Sequence, residues 1–96
     1  MEIKLRAVLD IAAVLGGKEH TVELPEGETL RGLLVVLCDS RGESLTGLLL
    51  QNRDPLELAP AVRVYINGRG SAFLNGLDTG LSDGDDVVLM PQVSGG

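Results

Sequence analysis

Few residues in this 96-residue chain are of types that do chemistry. It has one cysteine, Cys38, and one histidine, His20, with no Ser/His/Asp set from which a hydrolase could be built. One His and one Cys do not make a metal site, which needs several ligands at ordered spacings. Asp83, Asp85 and Asp86 stand around Gly84 but lack the rest of a calcium loop, so they read as a solvated turn. Gly68-Arg69-Gly70 lacks the strand-to-helix context of a phosphate loop. What remains is the end of the sequence, where Met90-Pro91 is followed by Gln92-Val93-Ser94-Gly95-Gly96. Two glycines remove side-chain bulk and open torsions closed to other residues, so Gly95 can pass through a narrow tunnel and Gly96 can present its α-carboxylate. A carboxylate is a poor electrophile until it is activated, for instance as an acyl-adenylate. Sulfide transfer to that acyl group gives a thiocarboxylate, a nucleophilic sulfur on a flexible arm. A frayed terminus without a role is the plain alternative, and the dipeptide alone favours it. Its place directly after the last strand of the pattern described below reverses that preference.

The rest of the chain must position this tail. Its length suits one domain with a single core, expected over 1–91 with 92–96 as a flexible Gly-Gly tail. Apolar residues make up 44% of the sequence, and Tyr65 and Phe73 are its only aromatics, so the core is expected to be aliphatic. The formal net charge of −6 repels phosphate backbones, which argues against nucleic acid and for a partner with a basic face. A single cysteine rules out an internal disulfide and an iron–sulfur cluster ligated by one chain, and the expected compartment is the cytoplasm. Glu2, Lys4, Arg6 and Asp10 interrupt any signal-like apolar run, and no stretch is long enough to span a membrane. No cofactor is expected.

Hydrophobic periodicity supplies the elements. Met1, Ile3, Leu5, Ala7 and Leu9 alternate with Glu2, Lys4 and Arg6, which predicts a strand with one buried face. Ile11 to Leu15 predicts a helical turn stopped by Gly16-Gly17. His20, Val22 and Leu24 predict a second strand, closed by Pro25-Glu26-Gly27. Thr29 is a suitable N-cap for a helix whose Leu30, Leu33, Leu34 and Leu37 fall on one face, with Gly42 as its stop. Cys38 lies on the same apolar side and reads as a core thiol; His20 reads as a structural strand residue. Leu48-Leu49-Leu50 suggests a second short helix, and Asn52 to Pro60, with two prolines, a loop. Val62, Val64 and Ile66 predict a strand running into an Asn67-Gly68 turn. Ser71 to Leu74 predicts a further short strand, and Val87 to Met90 a last one ended by Pro91. A right-handed crossover through the helix lays a late strand parallel to the first. The fold class is therefore α+β: a ubiquitin-like β-grasp, a mixed β-sheet packed on one main helix.

Three segments carry a resemblance that spans nearly the whole chain. Val62-Arg63-Val64-Tyr65-Ile66-Asn67-Gly68-Arg69 resembles the strand and Asn-Gly turn of the MoaD/ThiS sulfur carriers. The run from Phe73-Leu74-Asn75-Gly76 to Asp83-Gly84-Asp85 resembles a loop of molybdopterin synthase small subunits (MoaD-like), and Pro91 to Gly96 is similar to their ending. Met90 stands where the family usually has an aromatic residue, and Gln92 where it has a second proline. The resemblance implies that a ubiquitin-activating-like enzyme adenylates Gly96, which becomes a thiocarboxylate, with Gly95 as tail. The tail would then enter a molybdopterin synthase large subunit and donate sulfur in molybdopterin (molybdenum cofactor) biosynthesis. The chain would act as a cosubstrate and not as an enzyme by itself. Met90, Phe73 and Leu74 are the residues expected to dock on partners. The same activated tail serves two alternatives: a ubiquitin-like modifier joined to lysines, and a sulfur carrier for thiamine or tRNA thiolation. A plain interaction domain with an incidental tail is the remaining reading.

Overall fold

The computed structural model describes residues 1–91. The first strand, β1 (Glu2–Ala7), buries Ile3, Leu5 and Ala7 and exposes Glu2, Lys4 and Arg6. It pairs antiparallel with β2 (Glu19–Glu23) and parallel with the last strand, β7 (Asp86–Pro91). The strand β5 (Val62–Ile66) lies antiparallel on the other side of β7, and the two-residue β6 (Arg69–Gly70) completes the order β2-β1-β7-β5-β6. A late strand lies parallel to the first, as expected; it is the last one, β7, and it is central.

One face of this sheet is closed by the helix α2 (Leu30–Arg41). The Thr29 hydroxyl accepts a hydrogen bond from the Gly32 N–H, satisfying one orphan donor of the first turn. Gly32 leaves room for the Glu28 side chain, which a Cβ there would strike and whose Oε1 accepts from the Thr29 N–H at 3.1 Å. Leu30, Leu33, Leu34 and Leu37 are all buried, each contributing about 1.5–3 kcal/mol of apolar burial before entropy is counted. They meet Leu5, Val64, Val87 and Leu89 from the sheet in one core.

Five expectations are corrected. Leu9 does not continue β1: it opens the helix α1 (Leu9–Leu15), has a φ of 55° and is 64% exposed. The helix buries Ile11, Ala12 and Leu15 instead, and Gly16, at φ 84°, ends it in the left-handed conformation. Helix α3 (Glu43–Leu49) includes Leu48 and Leu49, but Leu50 begins β3 (Leu50–Arg53). Asn52 to Pro60 is not a loop throughout, because β3 pairs with β4 (Leu56–Leu58) as a separate two-stranded sheet. Its prolines stand outside the paired segments, Pro55 at the turn and Pro60 beyond β4, where no ladder donor is lost. Ser71 to Leu74 is not a strand: Ser71–Phe73 form a 3-10 turn, followed by a second over Gly76–Asp78. Thr79 holds this loop, its hydroxyl donating to Gly76 O (2.7 Å) and accepting from the Asn75 N–H (3.1 Å). Pro91 is the last residue of β7 itself, opposite Val62.

Among the described residues, no helix is long and apolar enough to cross a membrane, and no cluster of side chains could hold a metal ion.

Candidate functional site

The candidate site is the place where β7 hands the chain on to residues 92–96. Gly95 and Gly96 lie outside the described residues, so what the structure gives is the end of β7 that precedes them in the chain. That end is held from both sides: Leu89 stands opposite Ala7 of β1 and Val64 of β5, and Pro91 opposite Val62. A central strand with a ladder on each side is a firm base for the chain that follows it.

Strand parity decides what surrounds it. Val87 and Leu89 point into the core, so Val88 and Met90 point to the opposite face of the sheet. In β5 the same alternation sends Arg63 and Tyr65 outward. Register then pairs Tyr65 with Val88 and Arg63 with Met90. Phe73, 90% exposed, lies over Gly70: a Cβ at Gly70 would be 3.3 Å from the Phe73 ring and 3.8 Å from that of Tyr65. Phe73, Tyr65, Val88 and the 38%-exposed Met90 thus form an apolar band leading to the root of the tail. Contiguous exposed apolar surface is a candidate for partner contact.

Charged residues rim the band. Arg6 lies beside Val88, and its Nε donates to Asp86 Oδ1 at 3.1 Å. That hydrogen bond, and then the Asp86 charge, raises the guanidinium's pKa above its ordinary value, so Arg6 is cationic at any working pH. Arg63 donates to Pro60 O at 2.9 Å.

Of the residues expected to dock, the structure brings Met90 and Phe73 to one face. Leu74 is only partly exposed and packs against the core, so it holds the loop beneath Phe73 and does not extend the band. Tyr65 and Val88 are members that the sequence reading passed over. The alternation of β5 and β7 carried the signal, since every residue between two buried ones must face the other way.

The remaining polar residues have structural work. Asp83 Oδ1 accepts from the Glu2 N–H at 2.6 Å, and Asp85 accepts from the Ser82 N–H and from Asn67 Nδ2. With Asp86 bound to Arg6, the acidic run is consumed in holding the turn before β7. Asn67 and Gly68 have φ of 53° and 85°, the left-handed pair of a tight hairpin turn. His20 Nε2 lies 3.0 Å from Gly17 O and closes the α1–β2 loop. Cys38 is 1% exposed, inside the α2 core.

Comparison with known proteins agrees with this geometry. Residues 8–96 match the sequence model of the ThiS family. The small archaeal modifier protein 3 of Haloferax volcanii is 33% identical over 96 residues, covering 100% of both chains. The sulfur carrier protein CysO of Mycobacterium tuberculosis is 31% identical over 70 residues, 73% of this chain and 74% of that one. A solved structure from Pyrococcus furiosus, named "Putative molybdopterin converting factor, subunit 1", superposes with a TM-score of 0.75 at 26% identity over 97% of this chain and 99% of that one.

Proposed function

The chain belongs to the ThiS family, and from that premise we propose that it is a ubiquitin-like sulfur carrier whose working group is the carboxylate of Gly96. Its named relatives are carriers and modifiers, not catalysts, and the chain is a cosubstrate of enzymes and not an enzyme itself. A ubiquitin-activating-like enzyme in the cytoplasm docks on the band of Tyr65, Phe73, Val88 and Met90. It joins the Gly96 carboxylate to AMP from ATP, releasing pyrophosphate. A sulfur donor then displaces AMP, leaving a C-terminal thiocarboxylate. The acceptor we assign is the cyclic pyranopterin precursor of molybdopterin, with the tail inserted into a molybdopterin synthase large subunit. The resemblance of 73–85 to MoaD-like proteins and the Pyrococcus furiosus neighbour support that acceptor. The observation that carries the carrier reading is the apolar band at the root of a centrally mounted strand, directly before Gly95-Gly96.

One observation favours a second reading, conjugation of Gly96 to lysines of other proteins: the relative aligned over the full length of both chains is a modifier. A single experiment addresses both. The purified chain, incubated with its activating enzyme, ATP and a sulfur donor, should gain the mass of one oxygen-to-sulfur exchange, confined to the C-terminal peptide and stable to reductant. The gain should vanish when Gly96 is deleted. No exchange in the intact chain, with high-mass conjugates on immunoblots that need Gly96, would replace the carrier reading with the modifier reading.

A further inference from the structure

A second surface lies away from the tail, at the open edge of the sheet. Strand β2 has a neighbour on one side only. Met1 and Leu24 exchange both backbone hydrogen bonds, at 2.6 and 2.9 Å, and the Ala7 N–H donates to Lys18 O at 2.8 Å. In an antiparallel ladder such pairs recur every second residue, so His20 and Val22 also turn their main chain toward β1. Glu19, Thr21 and Glu23 therefore turn theirs outward, where among the described residues no second strand pairs with β2. An edge of this kind is a template for another strand.

Beside the edge runs a groove between β2 and α2, floored by Val22 and Leu37 and walled by Val36, which is 41% exposed. A strand added to β2 would point the side chains opposite His20 and Val22 into this groove, because directly paired residues share a face. Its side chains opposite Glu19, Thr21 and Glu23 would stand on the other face. A second copy of the chain does not suit the edge: antiparallel pairing centred on Thr21 sets Glu19 against Glu23 twice, and like charges directly opposite repel. The two glutamates instead suit a strand carrying cations at those positions, and the net charge of −6 draws such a segment in.

We propose that the free edge of β2 is a docking site for an extended segment of a partner protein, aliphatic at the two positions facing the α2 groove and Lys or Arg at the two positions opposite Glu19 and Glu23. Main-chain hydrogen bonds to Glu19, Thr21 and Glu23 supply the attachment; the groove and the two carboxylates supply the selection. This site is independent of the tail and of the sulfur-carrier reading.

The test is a titration of the isotope-labelled full chain with a capped peptide containing Lys-Val-Thr-Val-Lys, a pattern that reads the same in either strand direction. Amide shifts should centre on Glu19 to Glu23 and on Val36 and Ser40. Binding should be at least about tenfold tighter than for the Glu-Val-Thr-Val-Glu counterpart. N-methylation of the central threonine, which removes the donor facing Thr21, should abolish binding. Thr21→Pro should do the same, since the N–H it removes faces solvent and not β1. The double change Glu19→Lys and Glu23→Lys should reverse the preference between the peptides. No binding by either peptide, equal binding of both, indifference to N-methylation, or shifts that map to Tyr65, Val88 and Met90 would each overturn the proposal.

Discussion

Replacing Met90 with aspartate separates docking from folding. Met90 is 38% exposed and faces away from the α2 core. Fully burying a methionine is worth about 1.5–3 kcal/mol, so losing its covered part costs about 1–2 kcal/mol. Aspartate also suits a strand less well than methionine. Against this, the new carboxylate stands directly opposite Arg63, and an opposite-charge cross-strand pair returns about 0.2–1 kcal/mol. The net loss of stability is about 1 kcal/mol, a fall of roughly 4–8 °C in melting temperature for a domain of this size. At an interface the same carboxylate would be pressed against apolar surface. Losing a central anchor costs about 2 kcal/mol or more, roughly thirtyfold in affinity. ATP–pyrophosphate exchange, measured against concentration of the chain with its activating enzyme, should show KM rising about thirtyfold with kcat little changed. Met90→Leu should keep both values near those of the unsubstituted chain. An unchanged KM for Met90→Asp, with a melting curve shifted only by the few degrees above, would refute the docking role of the band.

Gly95→Val should block adenylation, because a β-branched side chain narrows the torsions and widens the section of the tail; exchange at the normal rate would remove the tunnel argument. Leu34→Ala, at a buried position of α2, should cost about 2–5 kcal/mol in urea unfolding, a large part of the roughly 5–15 kcal/mol that holds a domain; a loss under about 1 kcal/mol would show that the α2 stripe does not dominate the core. Cys38→Ala should cost only about 1 kcal/mol and leave the oxygen-to-sulfur mass gain intact; loss of the added sulfur in this variant would move the sulfur from Gly96 to a Cys38 persulfide.

The elements that were legible in the sequence are those whose burial is one-sided. The β1 alternation, the Leu30-Leu33-Leu34-Leu37 stripe and the Val62-Val64-Ile66 strand each repeat at the period of the structure that buries them. Thr29 announced the start of α2 because a cap is local chemistry. The parallel pairing of β1 with β7 followed from crossover handedness. The errors fall where local pattern and tertiary need diverge. Leu9 kept the strand's parity but had to leave the sheet for Ile11 to reach the core. The β3–β4 hairpin was hidden because only Leu50 and Leu56 among its residues are buried, leaving no alternation to see. Ser71 to Leu74 looked like a strand, yet β6 gives it no register beyond Gly70. Of the residues expected to dock, Met90 and Phe73 are exposed on one face, whereas Leu74 packs beneath it. Tyr65 and Val88 stayed hidden until the register placed β5 beside β7.

That register also constrains any partner that uses the tail. Gly96 is only five residue steps beyond Pro91 in the sequence, a reach of roughly 17 Å even fully extended. An enzyme seated on Tyr65, Val88 and Met90 must therefore hold its reactive centre within that distance of the end of β7. Strand β7 cannot shift to extend the reach, because Val87 and Leu89 are locked in the core between β1 and β5. Residues of one strand thus divide by parity, with the inward set fixing the base and the outward set turned to the face where the proposed partner would sit. Cys38 meets neither condition, lying inside the α2 core on the opposite side of the sheet from the band. Under the proposed reading, the terminal carboxylate and not the buried Cys38 thiol is therefore the group for a docked enzyme to reach.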